Sequence, residues 1–233
     1  MRCLLALLSI IVTVPAVGAP DLNGTWVLTR GGKLHPPALT EHGRAFKESY
    51  DFKNDDPSLL CIPASWTRVF SNPNTPLEFT LSANGVRMRH ELFDIDRNVA
   101  LSTTDLERLH QPGDLAYPTL GDSVAWYDDD ELLIHTVNYG DEIRVLSTIR
   151  NWAGMPQSPL MVTLERYRRE GDQILLSITH FDPIMYTEPL QATYHFRRET
   201  EWAVENYDCE PEDAMVITPE QINRATTTQL PEQ

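Results

Sequence analysis

The chain has 233 residues, with 34 acidic and 19 basic side chains and a formal net charge of −15 at pH 7. A chain this acidic is repelled by phosphate backbones and anionic lipid head groups, which argues against nucleic acid and membrane surfaces as partners. Without residues 1–19, its length suits one domain of the barrel or sandwich type.

Residues 1–19 have the pattern of an export signal. Met1-Arg2 is a short basic start, residues 3–14 are apolar, and Val17-Gly18-Ala19 supplies the small residues of a cleavage site. As a helix, the apolar run would reach about 18 Å, well short of the ~30 Å core of a bilayer. We therefore predict a signal peptide over 1–19 and a periplasmic or secreted protein with no membrane insertion.

The central part of the chain has the alternation of β-strands with one buried face. Apolar and polar residues alternate with period two over 86–92 and again over 174–180. Turn signals such as Glu170-Gly171-Asp172 separate the strands, and the hairpin of 160–169 with 173–181 is the best defined. The predicted strands are 22–30, 77–82, 86–92, 97–103, 122–127, 131–139, 143–150, 160–169, 173–181 and 191–198.

Short helices and irregular segments lie between these strands. We predict a helix over 39–49 that opens at Thr40, a second over 104–110, and a small terminal helix at the capping box 218–221. Residues 51–76 are rich in proline and have no periodicity, which indicates a long loop. Residues 20–198 would form an all-β domain, barrel or sandwich, and 199–233 an acidic C-terminal arm.

Two cysteines, Cys61 and Cys209, remain after the signal is removed. In an oxidising compartment such a pair is more often bonded than catalytic, so we predict a disulfide. A bond across so long a loop would stabilise the fold by about 4–5 kcal/mol in the chain-entropy model. The alternative, a Cys61 nucleophile, has no activating pattern near it.

The opening Leu22-x-Gly24-x-Trp26 resembles that of lipocalin-type barrels, in which the tryptophan plugs the barrel floor. A wider set of blocks, with Cys61-x-Pro63, 118–133, Leu164-Glu165-Arg166 and 182–189, resembles a family of uncharacterised exported bacterial proteins. That resemblance implies an antiparallel lipocalin-like (calycin-like) β-barrel with a few short helices, and it carries no activity. The chain departs from the family pattern at His135, where an acid is common, and at Asp129-Asp130.

Several polar residues lie on stripes that are otherwise apolar. His90 and His180 each share a strand face with apolar residues, and each is either a hydrogen-bonded core histidine or a functional group. His135 has apolar neighbours on both faces, so its direction stays open. Because no pair of histidines has a ligand spacing, we predict neither a metal site nor a cofactor.

Glu165 and Arg166 are adjacent on a strand and must point to opposite faces. The stripe of Thr163, Glu165 and Tyr167 has one charge, at its middle. We therefore predict that Glu165 faces the interior in a polar cluster with at least one of Arg87, Arg89 or His180. Such a cluster is either a structural ion pair or part of a ligand site.

These features leave three functions open. The first is a barrel that binds a small, largely apolar molecule, and its candidate contacts are Arg87, Arg89, Trp126, His135 and Tyr186. The second is a cofactor-free isomerase, cyclase or lyase, and its candidate acid–base residues are His90, Glu91, Glu165, His180 and Asp182. The third is an interaction protein that uses the acidic tail, with an unknown protein partner.

Overall fold

The computed structural model describes residues 19–30, 37–70, 74–102, 120–140, 145–147 and 154–211. The predicted signal peptide over 1–19 (except residue 19), the predicted helix over 104–110 and the capping box at 218–221 lie outside these ranges. The strands are β1 (Gly24–Arg30), β2 (Pro76–Leu81), β3 (Gly85–His90), β4 (Ile95–Leu101), β5 (Asp122–Asp128), β6 (Glu131–Val137), β7 (Val145–Ser147), β8 (Met155–Pro156), β9 (Val162–Glu170), β10 (Gln173–Phe181) and β11 (Leu190–Glu199).

The long strands close into a barrel in the order β1-β11-β10-β9-β6-β5-β4-β3-β2. The predicted all-β barrel is therefore confirmed, and the predicted strands lie within a few residues of those observed, but the barrel is not antiparallel throughout as predicted. All neighbouring pairs are antiparallel except β4 and β5, which run parallel through Ala100↔Val124 and Leu101↔Ala125. Parallel neighbours need a long crossover, and residues 102–121 supply that length here.

The apolar residues that alternate along the strands form one core inside the barrel. At one end, which we call the lower end, Trp26 is fully buried and donates its indole N–H to the carbonyl of Leu22 at 2.8 Å. The guanidinium groups of Arg169 and Arg198 lie 5.7 and 5.4 Å from its ring. Trp26 thus closes the floor of the barrel, as the resemblance implied.

The opposite end, which we call the upper end, is where β9 begins and β10 ends. Here lie helix α1 (Glu41–Ser49), helix α2 (Phe52–Asp55) and a 3-10 helix (Pro57–Leu60), and a second 3-10 helix (Leu92–Asp94) joins β3 to β4. Thr40 caps α1 as predicted, accepting a hydrogen bond from the amide of Gly43 at 3.0 Å. A second apolar core covers this end: Leu39, Tyr139, Leu146, Met155, Met161, Met185, Tyr186 and Leu190.

The region 51–76 was predicted to be one irregular loop, and that prediction is wrong in part. Besides α2 and the first 3-10 helix it contains helix α3 (Trp66–Val69), whose four residues are all buried. A helix of one turn is too short to leave a periodic pattern in the sequence, so only its tertiary contacts fix it.

The predicted disulfide between Cys61 and Cys209 is confirmed. Beyond β11 the chain runs back along the barrel as an exposed strap, residues 200–211, toward the upper end. Its amide at Tyr207 donates to Asp94 at 2.8 Å, and the Tyr207 ring lies 5.6 Å from that of Phe93. The disulfide then fixes the strap to the segment that precedes α3. No helix in the described ranges is long and apolar enough to cross a bilayer.

Candidate functional site

Helix α3 lies inside the barrel. Residues 65–70, which we call the plug segment, begin at Ser65, whose hydroxyl accepts the amide of Arg68 at 3.0 Å and donates to the carbonyl of Leu146 at 2.7 Å. The rings of Trp66 and Phe70 are buried and pack edge to face, with centroids 5.1 Å apart. The centroids of three inner-wall rings lie within 6.2 Å of one or both of them: His90, Tyr194 and Phe196.

A buried ion pair crosses the interior beside the plug segment. Arg97 of β4 and Glu165 of β9 have side chains that are 6% and 1% exposed. Nη1 of Arg97 donates to Oε2 of Glu165 at 3.2 Å. Nη2 lies 2.8 Å from Oε1, an ion-pair contact that is too oblique for a hydrogen bond. Burial alone would lower the pKa of Arg97, but the charge and hydrogen bond of Glu165 raise it above its usual value.

Neutral groups also form hydrogen bonds with this pair. Nη2 of Arg97 donates to Ser123 at 2.7 Å and to Thr136 at 2.9 Å. Tyr167 donates its hydroxyl to Glu165 at 2.5 Å and accepts the indole N–H of Trp66 at 2.9 Å. Burial, and then the negative charge of Glu165, raise the pKa of Tyr167 well above its usual range. The plug segment is thus bonded directly to the polar cluster of the wall.

His180 connects the plug segment to a second chain of polar groups. Its Nε2 lies 2.8 Å from the hydroxyl of Thr67, and its Nδ1 lies 2.8 Å from the hydroxyl of Thr163. Tyr139 donates to the same Thr163 hydroxyl at 2.7 Å. Burial lowers the pKa of His180 to about 3, so the imidazole is neutral near pH 7.

His90 lies on the other side of the plug segment. Its Nδ1 accepts the amide of Leu92 at 3.1 Å, and the imidazole packs against Trp66 and Phe70. Burial lowers the pKa of His90 to about 3 as well. Neutral histidines of such low pKa are weak bases and carry no acidic imidazolium proton near pH 7. His90, His180 and Glu165 all face the plug segment, and each already has a hydrogen-bond partner.

The other two acid–base candidates do not join this interior. Glu91 lies at the rim, where it accepts the strap amide of Glu205 at 3.4 Å. Asp182 is buried, but it accepts the amide and the hydroxyl of Ser158 at 2.7 and 2.9 Å and so fixes a turn. Both lie beyond the strand ends, so neither meets the other three acid–base candidates in the interior.

The candidate ligand contacts mostly point away from the interior. Arg87 forms an exposed ion pair with Asp96, at 2.5 Å, and Arg89 lies 3.9 Å from Glu78 on the outer face. The side chains of Trp126 and His135 also point outward. The preceding residue on each strand, Ala125 and Ile134 respectively, points inward and is fully buried. Tyr186 is buried at the upper end and donates to the carbonyl of Pro156 at 2.6 Å.

The prediction that Glu165 faces the interior is confirmed, and of its three predicted partners His180 belongs to the same polar network. His180 is bonded to Thr163, which accepts from Tyr139, and Tyr139 is also bonded to Thr136, a partner of Arg97. Arg87 and Arg89 were predicted wrongly, because they are on the opposite face of β3. The actual partner, Arg97, was missed. A signal for it exists, because Ile95, Arg97 and Val99 alternate along β4 with one charge at the centre of an apolar stripe.

Metal ligands do not cluster in the part of the chain that the structure describes. No group of three histidine, cysteine or acidic side chains there lies close enough together to hold a metal ion. The pair of Arg97 and Glu165 has another property: Nε of Arg97 is buried and has no hydrogen-bond partner. A buried donor without a partner is the position at which a water or a ligand oxygen would bind.

The solved structures that this chain resembles are only distantly similar to it. A secretory abundant heat soluble protein from Ramazzottius varieornatus is 10% identical and has a TM-score of 0.41, with 79% of this chain and 99% of that chain covered. Lipid binding protein 8 from Caenorhabditis elegans is 12% identical with a TM-score of 0.36, and 76% and 94% are covered. A mutant of the fluorescent protein UnaG is 12% identical with a TM-score of 0.36, and 77% and 96% are covered.

No protein-family model and no curated protein matches the sequence. Structural likeness at this identity and these TM-scores carries no argument about function. The barrel is established by its own closed ladder of strands, and the function has to be argued from the interior.

Proposed function

We propose that this exported barrel binds a small, largely apolar molecule in the volume that the plug segment occupies in this structure. The observation that carries the proposal is the way in which the inner wall contacts that segment. The indole of Trp66 packs on rings and lies 5.1 Å from the guanidinium of Arg97, while its N–H donates to Tyr167. An apolar body with a few placed polar contacts is what a ligand pocket provides.

The plug segment is also the part of the core that can leave the barrel without breaking the strand ladder. It is a helix of one turn, and the ladder hydrogen bonds of the described strands do not depend on it. Its polar contacts with the inner wall are made by the side chains of Trp66 and Thr67. A ligand with similar groups can therefore replace it contact for contact.

Export is supported by the apolar leader and by the disulfide. A disulfide between Cys61 and Cys209 persists in an oxidising compartment and is rare in a reducing one. The acid–base alternative has no comparable support, since its candidate groups are neutral, paired or outside the barrel.

The proposal is tested on protein purified from its own host. Native mass spectrometry should detect a co-purifying small molecule, and a panel of hydrophobic compounds should contain some that raise the melting temperature. Hydrogen exchange then locates the site: a ligand in the barrel should speed amide exchange over residues 65–70. Trp126→Ala, on the outer face, is the matched control and should bind the same compounds. The absence of both a co-purifying molecule and any melting shift would refute the function.

A further inference from the structure

The charges inside the described barrel balance. Arg97 and Glu165 are the charged side chains of its inner wall, and they neutralise each other. His90 and His180 are both neutral near pH 7 because burial lowers the pKa of each to about 3. Arg68, on the plug segment, interacts with Asp56, Tyr207 and Tyr50, all beyond the barrel wall.

A charged ligand would upset this balance. A carboxylate placed in the described interior would lose its water and find no free cation, since the nearest one is already paired with Glu165. An unpaired charge in an apolar interior is strongly unfavourable. An uncharged molecule with the same apolar body loses far less on entry.

We propose that Glu165 makes the barrel select uncharged ligands, because it occupies the position at Arg97 that the carboxylate of a ligand would otherwise take. This inference rests on the proposed function, and it names the class of ligand. The wall supplies a charged pair whose net charge is zero, and so it favours binding of polar groups that carry no charge.

A buried donor of Arg97 that has no partner narrows the ligand class further. Its Nη1 and Nη2 are used by Glu165, Ser123 and Thr136, while the buried Nε has no partner. A hydroxyl or carbonyl oxygen can accept from Nε without bringing charge. The ligand class is therefore a neutral, apolar molecule with an oxygen acceptor, such as an alcohol, ketone or ester.

Two pairs of probe molecules test the effect of ligand charge, because the members of each pair share one apolar body and differ in charge. Decan-1-ol and decanoate share one chain, and indole-3-ethanol and indole-3-acetate share one ring. At pH 7.5 both acids are ionised, because carboxyl groups titrate near pH 4. Isothermal titration of the oxidised wild-type protein should give an affinity for the alcohol of at least one pair that exceeds that for its acid by about tenfold or more.

Removing the internal carboxylate should reverse this order. In Glu165→Gln, Arg97 is left as an unpaired cation, so the carboxylate probe should become the tighter ligand of its pair. If this variant is too unstable to titrate, the acid should still raise its melting temperature more than the alcohol does, since it restores the missing charge. The matched control is Asp96→Asn, which breaks the outer pair with Arg87 and should keep the wild-type order.

The outcomes separate the two proposals. Binding of the acid by the wild type as tightly as the alcohol, or an unchanged order in Glu165→Gln, would overturn the selection by charge and leave barrel binding intact. If none of the four probes binds and no compound of the hydrophobic panel raises the melting temperature, the proposed function is overturned and this inference with it.

Discussion

Replacing Arg97 by methionine should destabilise the protein severely, because the buried carboxylate of Glu165 loses its ion-pair partner. That carboxylate is 1% exposed and would retain a single side-chain hydrogen bond, the one from Tyr167 at 2.5 Å. Breaking a buried ion pair by removing one partner costs about 3–5 kcal/mol. Whole domains have only about 5–15 kcal/mol of stability, so this is a large fraction.

The measurement is urea unfolding of the oxidised protein, followed by far-UV circular dichroism. In a thermal scan the same loss corresponds to a fall of roughly 6–20 °C, at about 2–4 °C per kcal/mol for a chain of this size. Arg87→Met is the control, since its ion pair with Asp96 lies on the exposed outer face, and it should move the midpoint little.

A double variant completes a double-mutant cycle for the buried ion pair. Arg97→Met with Glu165→Gln removes both charges and leaves an amide oxygen to accept from Tyr167, so it should recover most of the lost stability. The reasoning would be refuted if Arg97→Met cost less than about 1 kcal/mol, or if the effects of the two substitutions simply added.

Three further predictions concern the same interior. His90 and His180 have pKa values of about 3 in the folded protein and near 6.5 in the unfolded chain, so between these values they bind protons only after unfolding. The free energy of unfolding should therefore fall as the pH drops below 6.5, by roughly 1.4 kcal/mol per pH unit for each histidine. Chemical unfolding from pH 7 to 5 measures this slope, and His90→Leu should reduce it. Thr163→Val should cost about 2–4 kcal/mol because Tyr139 and His180 both lose a partner, whereas Thr193→Val on the outer face should cost little in the same urea assay. Cys61→Ser with Cys209→Ser should lower stability by about 4–5 kcal/mol, and an equal midpoint with and without the disulfide would contradict the chain-entropy estimate.

The parts of the fold that were predictable are the local ones. Side chains alternate between more and less buried along β10 and most of β9, a Gly171 turn with φ of 63° joins the two strands, and the predicted ends of this hairpin lie within two residues of those observed. Thr40 was also identified from local sequence, since a helix cap acts within one turn. Glu165 could be assigned to the interior because the stripe of Thr163, Glu165 and Tyr167 has a single charge, at its middle.

The parts that were missed depend on contacts between distant strands. Arg97 meets Glu165 across three strand boundaries of the barrel, and no local pattern reports that register. The predicted strand also began at Arg97, which hid the stripe that starts at Ile95. Trp126 and His135 were misassigned to the ligand site because the outer face of β5 and β6 is itself partly buried, so burial did not separate the two faces.

The ion pair in the interior is poorly explained by stability alone. A buried pair contributes little compared with apolar side chains of the same volume, and it becomes a liability when either partner is lost. What the pair adds is a buried donor without a partner, Nε of Arg97, in an interior with no net charge. The double variant separates the two roles: it should fold about as well as the wild type, yet bind decan-1-ol more weakly, while its affinity for decane should be unchanged. Equal losses for both compounds would mean that the pair only shapes the cavity.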